Sequence, residues 1–328
     1  MWPRSFANFH PAAPLLKAYS EQGCPVDCGE PWTHDHIISA LQRGCHPSAK
    51  PKQAAACLET ETKDKIDGGF ATIVKWSDIK HNIPINLKIS PIAMIPHKSR
   101  HFRAILDLSF HLKINRKQLP SVNSSTIKKA PQKSMASLGT TLKRIIDVMA
   151  SNYNLDHPFL FSKCDIKDGF WRIVVNKNDA WNFCYTLPTS KATNINDIRL
   201  VVPHSLQMGW VESPPFFCAA TETARDIIDA LIEVPSLEPH NMEHMMYDNN
   251  PHPQSSSEHP NPINLMEVYV DDFIGCTNDK STPHLQHLSR AMLHGIHCLF
   301  PPPSVSNHNG EDPISEKKMK QLDGKMAR

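Results

Sequence analysis

The stretch Met266-Glu267-Val268-Tyr269-Val270-Asp271-Asp272-Phe273-Ile274-Gly275 constrains the chain most: two β-prone runs meet at two adjacent carboxylates. β-Branched and aromatic residues entering and leaving so short a polar step predict a tight hairpin with Asp271 and Asp272 at its tip. Neighbouring carboxylates raise each other's pKa unless a cation lies between or beyond them. A divalent, oxygen-seeking ion such as Mg²⁺ meets that need. An Asp-rich turn alone requires no ion, because turns select Asp for their own reasons. Upstream, however, the strand-like run from Phe159 ends at a third carboxylate, Asp165. Sites that transfer phosphoryl groups with two metals need about three carboxylates converging from separate elements, with the ions roughly 3.5–4 Å apart. Asp165, Asp271 and Asp272 meet that count.

Tyr269-Val270-Asp271-Asp272 between apolar strands, preceded by Asp165 with the aromatic Phe170 five residues on, resembles the palm of a reverse transcriptase of retroviral or long-terminal-repeat retrotransposon type. The resemblance covers about residues 55–300. It implies an α+β fold, with an antiparallel palm sheet backed by helices, a β-rich fingers lobe and no thumb. The corresponding division is an N-terminal extension at 1–54, fingers at 55–115, palm at 116–172, fingers again at 173–211, palm at 212–300 with an exposed loop at 235–262, and a polar tail at 301–328. The implied activity is RNA-directed DNA polymerisation, in which a primer on an RNA or DNA template attacks a deoxynucleoside triphosphate. Asp165, Asp271 and Asp272 are the implied catalytic residues. With the backbone of Ile166 they are the implied ligands of two Mg²⁺ ions, for which Mn²⁺ can substitute.

Other motifs carry the resemblance further. Ile89 to Ser109 reads as two strands around a basic turn and resembles the fingers hairpin whose cations grip the incoming triphosphate; that role falls on Arg103, with Lys98 or Arg100 as the loop cation. Arginine suits it, because its planar fork holds phosphate oxygens bidentately and stays charged. Phe170 occupies the place of a steric gate, where a ring without a hydroxyl blocks a 2′-OH and offers it no partner. Leu206 to Phe217 resembles the template-and-nucleotide segment, which assigns Gly209 and Gln207 to the nucleotide site. Here the chain departs from the retroviral pattern: Met208, not glutamine, directly precedes the glycine.

Net charge is only +2, so no global pull on nucleic acid follows, but its distribution is uneven. Between Asp78 and Asp147 the only acid is Asp107, among cations that include Lys80, Lys88, Lys98, Arg103, Lys113, Arg116, Lys117, Lys128, Lys133 and Arg144. Such a stretch predicts a phosphate-facing wall. No apolar run approaches the ~20 residues of a membrane span and no signal-peptide core opens the chain, which predicts an intracellular protein, cytoplasmic or nuclear, without a membrane partner. Nine cysteines, odd in number and scattered through apolar segments, read as reduced buried thiols. Cys24 and Cys28, with His34, His36, Cys45 and His46 nearby, match no zinc spacing.

Periodicity predicts helices over 34–43 (Thr33 and Gly44 as caps), 52–67, 135–150, 214–232 and 283–299, with 113–132 as loop. The 135–150 helix should bury Leu138, Leu142, Ile145, Ile146 and Met149. Nothing after residue 300 resembles a primer-gripping hairpin, thumb or ribonuclease H. The sequence therefore predicts a piece of a retroelement polyprotein or a truncated gene copy. The alternative to an active polymerase is a remnant, catalytically weak or silent, that still binds nucleic acid.

Overall fold

The computed structural model describes residues 9–98, 101–114, 116–152, 159–188, 194–243, 261–303, 311–315 and 320–322. Among these it is a mixed α/β structure with small antiparallel sheets. Its helices are α1 (Ala13–Gln22), α2 (His34–Arg43), α3 (Lys52–Asp67), α4 (Trp76–Ile79), α5 (Val122–Ser125), α6 (Thr141–Ser151), α7 (Ser213–Ile232) and α8 (Thr282–Leu299). Its strands are β1 (Ala71–Lys75), β2 (Ile92–Pro96), β3 (Phe102–Leu106), β4 (Lys113–Ile114), β5 (Lys117–Gln118), β6 (Leu160–Asp165), β7 (Tyr185–Thr186), β8 (Arg199–Pro203), β9 (Asn264–Tyr269), β10 (Asp272–Thr277) and β11 (Lys320–Leu322).

The sheet that positions the site has the order β11-β6-β10-β9. Alternation along its strands separates two faces. Cys164, Phe273, Val268 and Met266 are buried on one, against α7 and α8, whose inward stripes include Phe217, Ala224, Ile228, Met292 and Ile296. Asp165, Lys163, Asp272 and Ile274 share the other. A second sheet joins β1, β8 and β7, and β2 pairs with β3 in the expected basic hairpin, whose Arg100 lies outside the described residues.

Several expectations are corrected. Within 113–132, read as loop, β4 pairs with β5 and α5 forms under its Ser121 cap. The 135–150 helix begins at Thr141, after two 3-10 turns, because Gly139-Thr140 interrupts it. Its inward residues are Thr141 and Ile145, while Leu142 and Ile146 are 69% and 53% exposed. Contact with β9 runs through the Thr141 hydroxyl, donating to Val268 O at 3.2 Å, and an Arg144–Glu267 ion pair. Part of the C-terminal tail is structured: β11 adds an edge strand to the site's sheet, and residues 311–315 run alongside the end of β6. The middle of the 235–262 loop, 244–260, lies outside the described residues; before it, Met242 is buried and Glu243 pairs with Arg290 at 2.7 Å.

The N-terminal segment is built into the core. Cys24, Cys28 and Cys45 are buried, and Cys24 pairs with Val175 as a β-bridge. Burial pushes the thiols of Cys24 and Cys28 up, to about 11 for Cys28. No helix among the described residues is long and apolar enough to cross a membrane.

Candidate active site

β6 delivers Asp165 as its last residue, and β10 begins opposite it, with Asp272 and Asp165 paired in register. The hairpin joining β9 to β10 has Val270 and Asp271 as its two turn residues, so the tip lies one residue earlier than the apolar pattern suggests. Val270 has φ +59°, whereas Asp271 is not among the described residues of positive φ. A two-residue turn with positive φ only at its first position is of type II′, a place that favours glycine. A β-branched residue held there stores roughly 1–3 kcal/mol of strain, a device that clusters at functional sites. The tip is tied down by Ile166 N–H, which donates to Asp271 O at 3.0 Å.

These elements bring one carboxylate oxygen from each of Asp165, Asp271 and Asp272 within 4.8 Å of one another. Asp165 is only 4% exposed, whereas Asp271 and Asp272 are half-buried, so water reaches one side of the cluster and screens it in part. Oδ2 of Asp272 meets the Lys163 ammonium at 2.7 Å, and its Oδ1 is buried with no hydrogen-bond donor among the described residues. A buried oxygen that can only accept and has no donor fits a hard cation, and an all-carboxylate set fits Mg²⁺ or Mn²⁺ better than a soft metal.

The backbone beside the cluster is equally constrained. Asp168 adopts a left-handed conformation (φ +56°) and pairs with Lys65 of α3 at 2.7 Å. Partial burial acts to raise its pKa, but Lys65, Arg172 and Lys167 outweigh that and hold it below the usual carboxylate range. Gly169 follows, where a Cβ would meet the Phe217 ring at 2.8 Å and Asp271 Cβ at 3.6 Å. It is the Phe217 ring of α7 that leaves no room for a side chain here, a requirement that the Asp-Gly step signals but does not specify. Phe170 is half-buried, its ring 5.0 Å from that of Phe217.

Residues 311–315 complete the wall behind Asp165. Ser315 N–H donates to Asp165 O at 3.0 Å, Lys167 N–H to Pro313 O at 2.7 Å, and Ile314 is buried against Ile166. Arg172 donates to the carbonyls of Lys167 and Glu311, at 3.1 and 2.8 Å. Sequence reasoning missed this segment because it is short, polar and far from Asp165 along the chain.

The expected nucleotide residues divide. Arg103 is exposed on β3 and Lys98 is exposed at the end of the described part of the same hairpin. Gly209 has φ +94°, with its carbonyl accepting from Asn123 at 2.8 Å, so the position requires glycine. Gln207, by contrast, is 3% exposed and spends its amide on Ser205 O and Leu206 O. The exposed neighbour is Met208, whose sulfur lies 2.8 Å from an Arg103 nitrogen. The cations of the basic stretch divide too. Lys88 is buried and donates to Cys28 O, and Arg144 pairs with Glu267, while Lys113, Arg116, Lys117, Lys128 and Lys133 are exposed.

No protein-family model matches the chain, and no curated protein matches it. Solved structures do. A foamy viral protease-reverse transcriptase in complex with dsDNA is 18% identical, with 95% of this chain and 48% of that one covered at a TM-score of 0.46. A dRH form of foamy viral protease-reverse transcriptase with ds DNA is 18% identical, at 95% and 40% coverage and a TM-score of 0.44. A prototype foamy virus protease-reverse transcriptase CSH mutant is 15% identical, at 92% and 26% coverage and a TM-score of 0.40. The chain spans less than half the length of each. TM-scores under 0.5 assign neither fold nor activity, so the geometry of the three aspartates stands alone as the functional observation.

Proposed function

We propose that the protein is a nucleotidyltransferase that extends a DNA primer on an RNA or DNA template, with Asp165, Asp271 and Asp272 as its metal-holding centre. The observation that carries this reading is the convergence of three carboxylates from two paired strands and a strained turn, one of them with a buried oxygen that lacks a donor. Asp165, Asp271, Asp272 and the backbone of Ile166 would hold two Mg²⁺ ions, or Mn²⁺. When bound, such ions supply the Lewis acidity that activates the primer 3′-hydroxyl and offsets charge on the triphosphate.

On this reading the β11-β6-β10-β9 sheet with α7 and α8 is the palm, and the β2–β3 hairpin with the β1-β8-β7 sheet is the fingers. Arg103 and Lys98 bind triphosphate oxygens from the exposed hairpin. Arg100, expected to share that role, lies outside the described residues. Gly209 lets backbone approach the nucleotide, and the Phe170 ring lies under its sugar and rejects a 2′-hydroxyl. Gln207, whose amide is spent in the core, yields its expected place to Met208. Lys113, Arg116, Lys117, Lys128 and Lys133 supply cations to the template-primer backbone.

The test is extension of a labelled DNA primer on poly(rA) by the full chain. Incorporation that requires Mg²⁺ or Mn²⁺ and stops with EDTA is expected. A protein that binds the template-primer yet adds nothing with either ion is the silent remnant instead.

A further inference from the structure

Lys163 and Asp165 stand two residues apart on β6, so their side chains leave the same face of the sheet. Asp272 pairs with Asp165 across the ladder, which makes Lys163 its diagonal neighbour, within reach of a long side chain. The reach is used: Lys163 Nζ lies 2.7 Å from Asp272 Oδ2, with 33% and 27% of the two side chains exposed. Oδ1 of the same carboxylate is the buried oxygen without a donor. Three carboxylates within 4.8 Å, one buried and two half-buried, repel one another, and a lysine beside one of them relieves part of that repulsion.

We propose that Lys163 is a positioning residue of the metal centre: it holds Asp272 by Oδ2, presents Oδ1 to the ion and cancels one of three negative charges, so that ion affinity is held down while ligand geometry is fixed. This inference rests on the metal-holding reading of the three aspartates. Removing the ammonium then has two opposed effects, because the site becomes more negative and attracts a divalent ion more strongly while Asp272 loses the contact that orients it. A merely structural lysine would change neither in this combination.

The experiment titrates Mn²⁺ into the full chain by electron paramagnetic resonance and records the rise in melting temperature that Mg²⁺ produces. Lys163→Met should bind Mn²⁺ about tenfold more tightly than wild type. It should melt lower without metal, gain more from Mg²⁺, and incorporate nucleotide more slowly at saturating metal. Lys163→Arg, which keeps the charge, should return the Mn²⁺ affinity to within about twofold of wild type. Should the methionine variant not fold, Lys163→Gln is read in the same way. Unchanged or weaker Mn²⁺ binding in the neutral variants, or an arginine variant that behaves like them, overturns the role of Lys163 alone. Failure of the wild-type chain to bind Mn²⁺ at all removes the metal-holding reading, and the inference about Lys163 with it.

Discussion

At the scale of single residues, the centre depends on placements that neighbours enforce: Asp271 on a strained turn, Asp272 opposite Asp165, and Phe170 on a turn whose glycine packs under the Phe217 ring. Phe170→Ala tests its part directly. If the ring excludes a 2′-hydroxyl, the variant should incorporate ribonucleotides at least tenfold more readily relative to deoxyribonucleotides, at a stability cost of about 2 kcal/mol, below the 3–5 typical of fully packed aromatics. Competition between the two nucleotides on one template measures it, and unchanged discrimination would leave Phe170 as packing for Phe217. The aspartates could be read from the sequence because their signal is local, carboxylates at the ends of apolar runs. Gln207 could not be placed, because glutamine is ordinarily exposed and nothing in the sequence shows that its amide turns back, inside the core, onto the carbonyls of Ser205 and Leu206. The strain at Val270 was illegible too, since a valine gives no hint of positive φ.

At the scale of elements, helix periodicity located α2, α3, α7 and α8 to within a residue or so, because α2, α3 and α8 each turn an apolar stripe inward and α7 is apolar over most of its surface. It failed on α6, where an apolar stripe reads as buried although Arg144 and Thr141 make the contact and Leu142 stays exposed. It also missed the C-terminal pairing, since β11 and residues 311–315 are polar and join β6 across a long sequence separation. One consequence of that return is a histidine cluster. His240 bonds His297 at 3.0 Å, and His297 bonds Asp312 at 3.0 Å, linking the turn at 240–243, α8 and residues 311–315. Burial, then the neighbouring His297 and His294, lowers the His240 pKa to about 4. Between about pH 6.5 and 4 the unfolded chain therefore takes up a proton that the folded one refuses, so this contribution to stability is lost as pH falls through that window. Asp229, raised by burial to about 6, acts in the opposite sense. The comparison must therefore be between wild type and His240→Gln: denaturant titrations should show wild type losing about 1–2 kcal/mol more than the variant from pH 7 to 4.5. Parallel pH profiles would mean that the cluster titrates alike in both states.

At the scale of the whole molecule, the proposed function pairs a surface of exposed cations with the three-aspartate cluster. Among the described cations of the 80–144 stretch Lys88 is buried and the half-buried Arg144 is spent on Glu267, so the wall is narrower than composition suggests. The exposed remainder should still make template-primer affinity fall with salt, log K dropping by roughly 0.7–0.9 per phosphate contact for each decade of salt. Arg103→Ala should raise the nucleotide KM and leave that slope unchanged if, as proposed, its partner is the triphosphate; a flatter slope would move Arg103 to the duplex. The most direct measurement of the central claim is single-nucleotide incorporation by wild type and Asp271→Asn at matched occupancy of the same template-primer. The account predicts that the amide, which cannot carry the charge that holds a divalent ion, lowers incorporation by a factor of about 10³ or more while template binding stays within about twofold. Incorporation and binding falling together, or incorporation surviving the substitution, would contradict it.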